Sequence, residues 1–133
     1  MRQLITNLLT RDIERSAAFY KLLGGLSEIR RTDAYVLLGA ADGSSARLAL
    51  IDWVSKLVPR AARGISEGNF LTLVVDDLEA ALMVARDFDI EVIESPWSGG
   101  PPGRAVIRDI DGRVVELTTP AAHLVAMPGE TAA

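Results

Sequence analysis

The sequence predicts an α+β fold built from two tandem βαβββ modules, the first over residues 4–52 and the second over residues 70–120. Each half begins with a short apolar run, followed by a helix that starts with an aspartate, an apolar residue and a glutamate. Each half then contains three short extended runs, with an Asp-Gly pair before the last one. Such internal repetition indicates a duplicated supersecondary unit. Two unrelated α+β segments with similar patterns are the alternative interpretation.

The first module opens with the apolar run 4–9, its predicted first strand, and continues into a helix with Asp12 as N-cap. The carboxylate of Asp12 can accept the free N–H groups of the first turn, and Glu14 lies where the helix dipole favours negative charge. Gly24 and Gly25 follow the last apolar residues, which is typical of a helix C-terminus. The other strands of this module are predicted at 27–31, 34–38 and 46–51.

The second module repeats this order, with an apolar run at 70–75 and a helix that begins at Asp77 and Glu79. The apolar residues of this helix recur at the spacing of one buried face. They are Leu78, Ala81, Leu82 and Ala85. The remaining strands are predicted at 91–95, 104–108 and 113–118.

Asp42-Gly43 and Asp111-Gly112 precede the last strand of each module. The pattern predicts hairpin turns, because such turns require a positive φ that glycine adopts at low cost. Residues 53–69 contain Pro59 and two glycines and are predicted to link the modules within a single domain of residues 1–133. The tail 121–133 is expected to be loosely ordered.

The composition is that of an ordinary soluble globular domain, with 133 residues, 49% of them apolar and 24% charged. Disulfides, thiolate metal sites and a cysteine nucleophile are excluded because the chain contains no cysteine. A net charge of −4 disfavours nucleic-acid binding and mildly favours cationic ligands. The N-terminal apolar run is too short for a signal peptide or a membrane span. We therefore expect a cytoplasmic protein without nucleic-acid or membrane partners.

Two stretches carry a resemblance to a known family. ITNLLTRDIERSAAFYKLLGG in the first half and GRAVIRDIDGRVVELTTP in the second are similar to the opening helix and closing strands of the vicinal-oxygen-chelate superfamily (glyoxalase/bleomycin resistance protein/dioxygenase). The resemblance runs from about Leu4 to Pro120, and Ile110 stands where the family usually has proline. It implies two modules whose mixed sheets curl into a cup, with the helices outside.

Metal-dependent members of that family hold a divalent ion with two side chains from each module. The resemblance places the four ligand positions of this chain at Ile5, near Ala49, at Phe70 and at Glu116. Only Glu116 can donate to a metal. We therefore expect no metal and no other cofactor.

The bleomycin-resistance branch has the same fold, lacks the metal and binds its drug in a crevice shared by two chains. By analogy, we expect a homodimer that binds a small organic molecule in an apolar cup. Strand alternation places Asn7 on the face of Ile5, and Trp97 lies in a Gly- and Pro-rich loop at the expected cup edge. The predicted ligand-binding residues are Asn7, Phe70, Thr72, Trp97, Arg104 and Glu116. Core or dimer packing is expected for Trp53.

Three roles remain open for Glu116: pairing with Arg47, Arg104 or Arg113 to hold strands, binding a ligand, or catalysis. The alternative function is a metal-dependent lyase, isomerase or dioxygenase that uses Glu116 with Asn7 or Gln3. A third hypothesis is an interaction module without a ligand. No catalytic triad is expected, because there is no G-x-S-x-G motif and the only histidine lies in the tail.

Overall fold

Two four-stranded mixed sheets, each covered on one face by a helix, make up the computed structural model. It describes residues 3–44, 46–64 and 68–125, and the side chains of Leu124 and Val125 are not described. The chain divides into two compact units, Met1–Asn69 and Phe70–Ala133. This boundary coincides with the predicted start of the second module.

The first unit contains four strands and one long helix in the predicted order β-α-β-β-β. These elements are β1 (Ile5–Thr10), α1 (Ile13–Gly24), β2 (Leu26–Thr32), β3 (Tyr35–Ala40) and β4 (Arg47–Asp52). The strand order in the sheet is β1-β4-β3-β2. β1 and β4 run parallel, and the other neighbours are antiparallel.

The second unit has the same topology, with strand order β5-β8-β7-β6. Its elements are β5 (Leu71–Val74), α2 (Leu78–Asp87), β6 (Val92–Glu94), β7 (Arg104–Arg108), β8 (Val114–Thr118) and α3 (Pro120–Val125). The predicted α+β class and the repeated βαβββ order are confirmed. The short helix α3 differs from the expected loosely ordered tail over residues 121–125, and residues 126–133 lie outside the described part.

Both long helices begin where the sequence predicts. The side chains of Asp12 and Asp77 each accept a backbone N–H of the first turn at 3.1 Å, from Arg15 and Ala80. Gly25 ends α1 with φ +62°, a conformation that glycine adopts without the steric cost of a Cβ atom. Local chemistry therefore fixes where each helix starts.

In each unit the core lies between the helix and one face of its sheet. Phe19 and Tyr20 of α1 are buried and pack edge to face, with ring centroids 5.2 Å apart. In α2 all four residues of the predicted apolar stripe are buried. The sheets contribute the alternate residues Leu8, Val36, Leu38 and Leu50 in the first unit, and Ala105, Ile107, Val115 and Leu117 in the second. Among the described residues, no helix has the length and hydrophobicity that a membrane crossing requires.

Asp109 organises the second Asp-Gly turn. Its buried carboxylate accepts the backbone N–H groups of Asp111 and Arg113, both at 2.9 Å, and lies 2.7 Å from Arg113 Nη1. Gly112 has φ +85°, as the predicted turn requires. The carboxylate therefore holds the turn between β7 and β8 although Ile110 stands at the usual proline position.

An exposed ion-pair network joins α1 to β2. Arg31 pairs with Glu14 and Glu28, and Lys21 Nζ lies 3.5 Å from Glu28 Oε2. The hydrogen bond from Arg31, aided by the charges of Arg31 and Lys21, holds the pKa of the Glu28 carboxyl below its ordinary value of 4.5. The same hydrogen bond raises the pKa of Arg31.

Glu28→Gln should therefore lower the free energy of unfolding by an amount that depends on pH. Because the pKa of Glu28 is lowered by folding, its stabilisation is fully present above about pH 4.5 and is lost as pH falls through the lower folded value. Urea unfolding of both proteins at neutral pH and below pH 4 measures this difference. Glu79→Gln controls for the loss of one carboxylate elsewhere. A difference between wild type and Glu28→Gln that is independent of pH would contradict the role of the network.

Candidate functional site

The first unit contains a cavity of about 870 Å³ on the sheet face opposite α1. The predicted alternation of β1 is confirmed, since Ile5, Asn7 and Leu9 all line this cavity. The apolar part of the lining consists mainly of Ile5, Leu9, Leu37, Ile51, Leu57 and Val58. Polar groups come from Gln3, Asn7, Thr32 and Tyr35, and charges come from Arg30 and Arg47.

Asn7 lies in the middle of β1, which is an edge strand of the first sheet. Asn7 pairs with Ala49 on β4, and Ala49 pairs with Leu37 on β3. Ala49 is fully buried and is not among the lining residues, whereas Asn7 is exposed. The amide of Asn7 therefore lines the cavity from the edge strand, between the apolar side chains of Ile5 and Leu9.

The predicted linker also lines the cavity. Leu57, Val58, Pro59 and Ala62 line it beside the strands, and Val58 is buried. Sequence reasoning treated this segment only as a connection and missed its part in the site. The apolar residues Leu57 and Val58, in a segment predicted to be a linker, were the available signal.

Arg47 is held in position by backbone acceptors. Its Nη1 donates to the carbonyl oxygens of Ser44 and Ala46, at 2.7 and 2.9 Å. Gly39 pairs with Arg47 across β3 and β4, and a Cβ atom there would lie 2.5 Å from Ile29 Cδ1 and 3.1 Å from Arg47 Nη1. Glycine at this position thus leaves room for both side chains at the cavity wall.

The second unit brings together three of the predicted site residues: Thr72, Arg104 and Glu116. Thr72 and Glu116 are neighbours in the parallel register of β5 and β8, and Thr72 Oγ1 donates to Glu116 Oε1 at 2.9 Å. Arg104 Nε lies 2.8 Å from Glu116 Oε2. This contact is an ion pair without hydrogen-bond alignment, because the buried Nε–H has no hydrogen-bond acceptor among the described residues. We call these three residues the β5-β7-β8 cluster.

Phe70 and Trp97 lie apart from this cluster. Phe70 precedes β5, is 63% exposed and lines neither the first-unit cavity nor a smaller one beside α2. Trp97 is also exposed and lines a second cavity, of about 500 Å³, beside the first turn of α2 at Asp77 and Glu79. Ligand binding by Phe70 and Trp97 stays a prediction.

Trp53 is not a core residue, contrary to one of the two expectations for it. It is 48% exposed, and the guanidinium carbon of Arg11 lies 4.9 Å from the centre of its ring. This geometry is a cation–π contact, which allows a tryptophan to remain partly in water.

The residues at the family's metal-ligand positions do not fit a divalent ion. The register shows that Ala49 is the first-unit counterpart of Glu116. Ala49 pairs with Asn7 of β1, and Glu116 pairs with Thr72 at the equivalent position of β5. The four positions therefore hold Ile5, Ala49, Phe70 and Glu116, with a single oxygen donor, whereas divalent ions need several. Arg104 beside Glu116 would also repel a cation. Within the described residues, no three His, Asp or Glu side chains form a group able to hold a metal.

Comparisons with known proteins agree with this architecture. A hypothetical protein from S. aureus matches with a TM-score of 0.69 at 21% identity, covering 90% of this chain and 94% of that one. The trypanothione-dependent glyoxalase I of Leishmania major matches with a TM-score of 0.66 at 21% identity, over 98% and 94%. A glyoxalase/bleomycin resistance protein/dioxygenase family enzyme from Burkholderia phytofirmans PsJN matches with a TM-score of 0.67 at 21% identity, over 86% and 95%.

At this level of identity the solved structures show the shared fold alone, and no curated protein sequence matches the chain. The family model is the stronger finding, because it covers residues 2–117. The chain belongs to the glyoxalase/bleomycin resistance protein/dioxygenase superfamily.

Proposed function

We propose that this protein binds a small organic molecule in the cavity of its first unit, without a metal ion, as in the bleomycin-resistance branch. The observation that carries the proposal is a cavity of about 870 Å³ with an apolar floor and a few polar groups. Small-molecule sites typically have volumes of about 300–1,000 Å³ and this kind of lining.

The lining supplies both affinity and orientation. Burial of a ligand's apolar surface against Ile5, Leu37 and Ile51 contributes roughly 25 cal/mol per Å² before the costs of association. Asn7 can both donate and accept hydrogen bonds, so it can orient a polar group of the ligand over the floor.

We assign a structural role to Glu116. Its two carboxylate oxygens are engaged by Thr72 of β5 and Arg104 of β7, while Glu116 itself belongs to β8. The β5-β7-β8 cluster therefore joins three strands of the second sheet.

The neutral fluorescent amine N-phenyl-1-naphthylamine should bind at one site per chain, with a Kd on the order of 0.1 mM or tighter. The protein is titrated into a fixed low concentration of the amine and its fluorescence is recorded. Excess EDTA should leave the Kd unchanged, because no metal takes part.

The double variant Asn7→Trp/Leu37→Trp should weaken this binding by about 10-fold or more, because two indoles fill the cavity floor. Met83→Trp, at an exposed position of α2, is the matched control and should bind as the wild type does. Binding that the filled cavity leaves intact, or that EDTA abolishes, would contradict the proposal.

We also propose that the protein forms a homodimer. Support comes from the resemblance to the bleomycin-resistance branch and from large apolar side chains that stay exposed in both units, such as Leu22 and Met83 on the helices. Burial of such surface drives association of copies.

Sedimentation velocity should give a species of about twice the chain mass of 14.3 kDa. Measurements over a range of protein concentrations separate a stable dimer from weak self-association. A single species at the mass of one chain, even at a protein concentration on the order of 100 μM, would contradict the dimer. A Kd of that size corresponds to a free energy of association of only about −5 kcal/mol.

A further inference from the structure

The cavity of the first unit carries two guanidinium groups, and none of its described lining residues is a carboxylate. Arg30 comes from β2 and Arg47 from β4. The chain as a whole has 18 acidic and 14 basic residues, giving a net charge of −4. The charge of the cavity is therefore opposite in sign to that of the whole chain.

Neither guanidinium is neutralised by a described carboxylate. Arg47 donates to two backbone carbonyl oxygens, which fix its position but carry no net charge. Arg30 forms no ion pair within the described part of the chain. By contrast, the other arginines on described strands each pair with a glutamate; they are Arg31, Arg104 and Arg108.

On β2, strand alternation separates an arginine that pairs with described glutamates from one that does not. Arg30 and Arg31 are adjacent on β2, so their side chains point to opposite faces of the sheet. Arg31 meets the glutamates near α1, whereas Arg30 lines the cavity, where no described carboxylate is available.

We infer that the cavity selects a small organic anion, a molecule with an apolar body and a carboxylate, sulfonate or similar oxyanion group. This inference rests on the proposed function and adds the chemical class of the ligand. A guanidinium presents a planar set of donors that matches an oxyanion, and charge-assisted hydrogen bonds are the stronger ones.

A neutral or cationic ligand would lack this attraction to the guanidinium groups. It would offer no counter-charge to the two guanidinium groups, which have none among the described residues. The mild preference for cationic ligands that the net charge suggested is thus reversed at the level of the cavity. The local arrangement of charge outweighs the net charge, because exposed charges beyond about 8–10 Å are screened at physiological salt.

The test compares two probes that share one framework: the anion 8-anilinonaphthalene-1-sulfonate and the neutral N-phenyl-1-naphthylamine. The wild-type protein, titrated into each probe, should bind the anion about 10-fold more tightly, since charge-assisted contacts exceed neutral ones by at least that factor. Raising the salt concentration should weaken binding of the anion more than binding of the neutral probe.

Arg30→Gln/Arg47→Gln should bring the Kd of the anion close to that of the neutral probe, whose own Kd changes less than about twofold. Arg60→Gln is the matched control, because Arg60 is exposed, belongs to the same unit and is not among the lining residues. Arg30→Gln alone disturbs no described ion pair and so tests the inference even if the double variant fails to fold. An anion affinity unchanged by Arg30→Gln overturns the inference.

The outcomes also separate this inference from the proposed function. Equal affinities for the two probes, both lost in Asn7→Trp/Leu37→Trp, would overturn anion selection but support binding in the cavity. If neither probe binds, or both bind regardless of the filled cavity, the proposed function itself is overturned.

Discussion

The arrangement of both units depends on burying one face of a four-stranded sheet under a single helix. Because side chains alternate along a strand, this burial decides the destination of every neighbouring residue. Leu8, Leu38 and Leu50 enter the core. Their neighbours along the strands therefore face the other way and line the cavity, namely Asn7, Leu9, Leu37 and Ile51. A slip of one residue in any of these strands would exchange the core and the site. The chemistry of the site is thus a consequence of the register.

The two units share one topology but differ in what they place at equivalent positions. In the first unit the pair on β1 and β4 is Asn7 and Ala49, and Asn7 offers an uncharged polar group to the cavity. In the second unit the equivalent pair is Thr72 and Glu116, and Arg104 contacts the carboxylate of Glu116. The duplicated fold therefore combines an open cavity in one unit with a polar contact network in the other.

The sequence predicted the features that local chemistry determines. Asp12 and Asp77 cap their helices, the α2 stripe is buried and Gly112 adopts a positive φ, each because a few adjacent residues suffice. The pairing of Glu116 with Arg104 rather than Arg47 or Arg113 depends on register between separate strands, which spacing alone does not fix. The part played by Leu57 and Val58 in the cavity, and the cation–π contact of Trp53, likewise depend on distant parts of the chain.

The central claim is that the sheet face of the first unit, and not the β5-β7-β8 cluster, is where a ligand binds. The most direct measurement is the change in backbone amide NMR shifts when 8-anilinonaphthalene-1-sulfonate is added to the labelled full chain. The account predicts that the largest changes occur along β1, β3 and β4, around Asn7, Leu37 and Ala49. Largest changes centred on Thr72, Arg104 and Glu116 would contradict it.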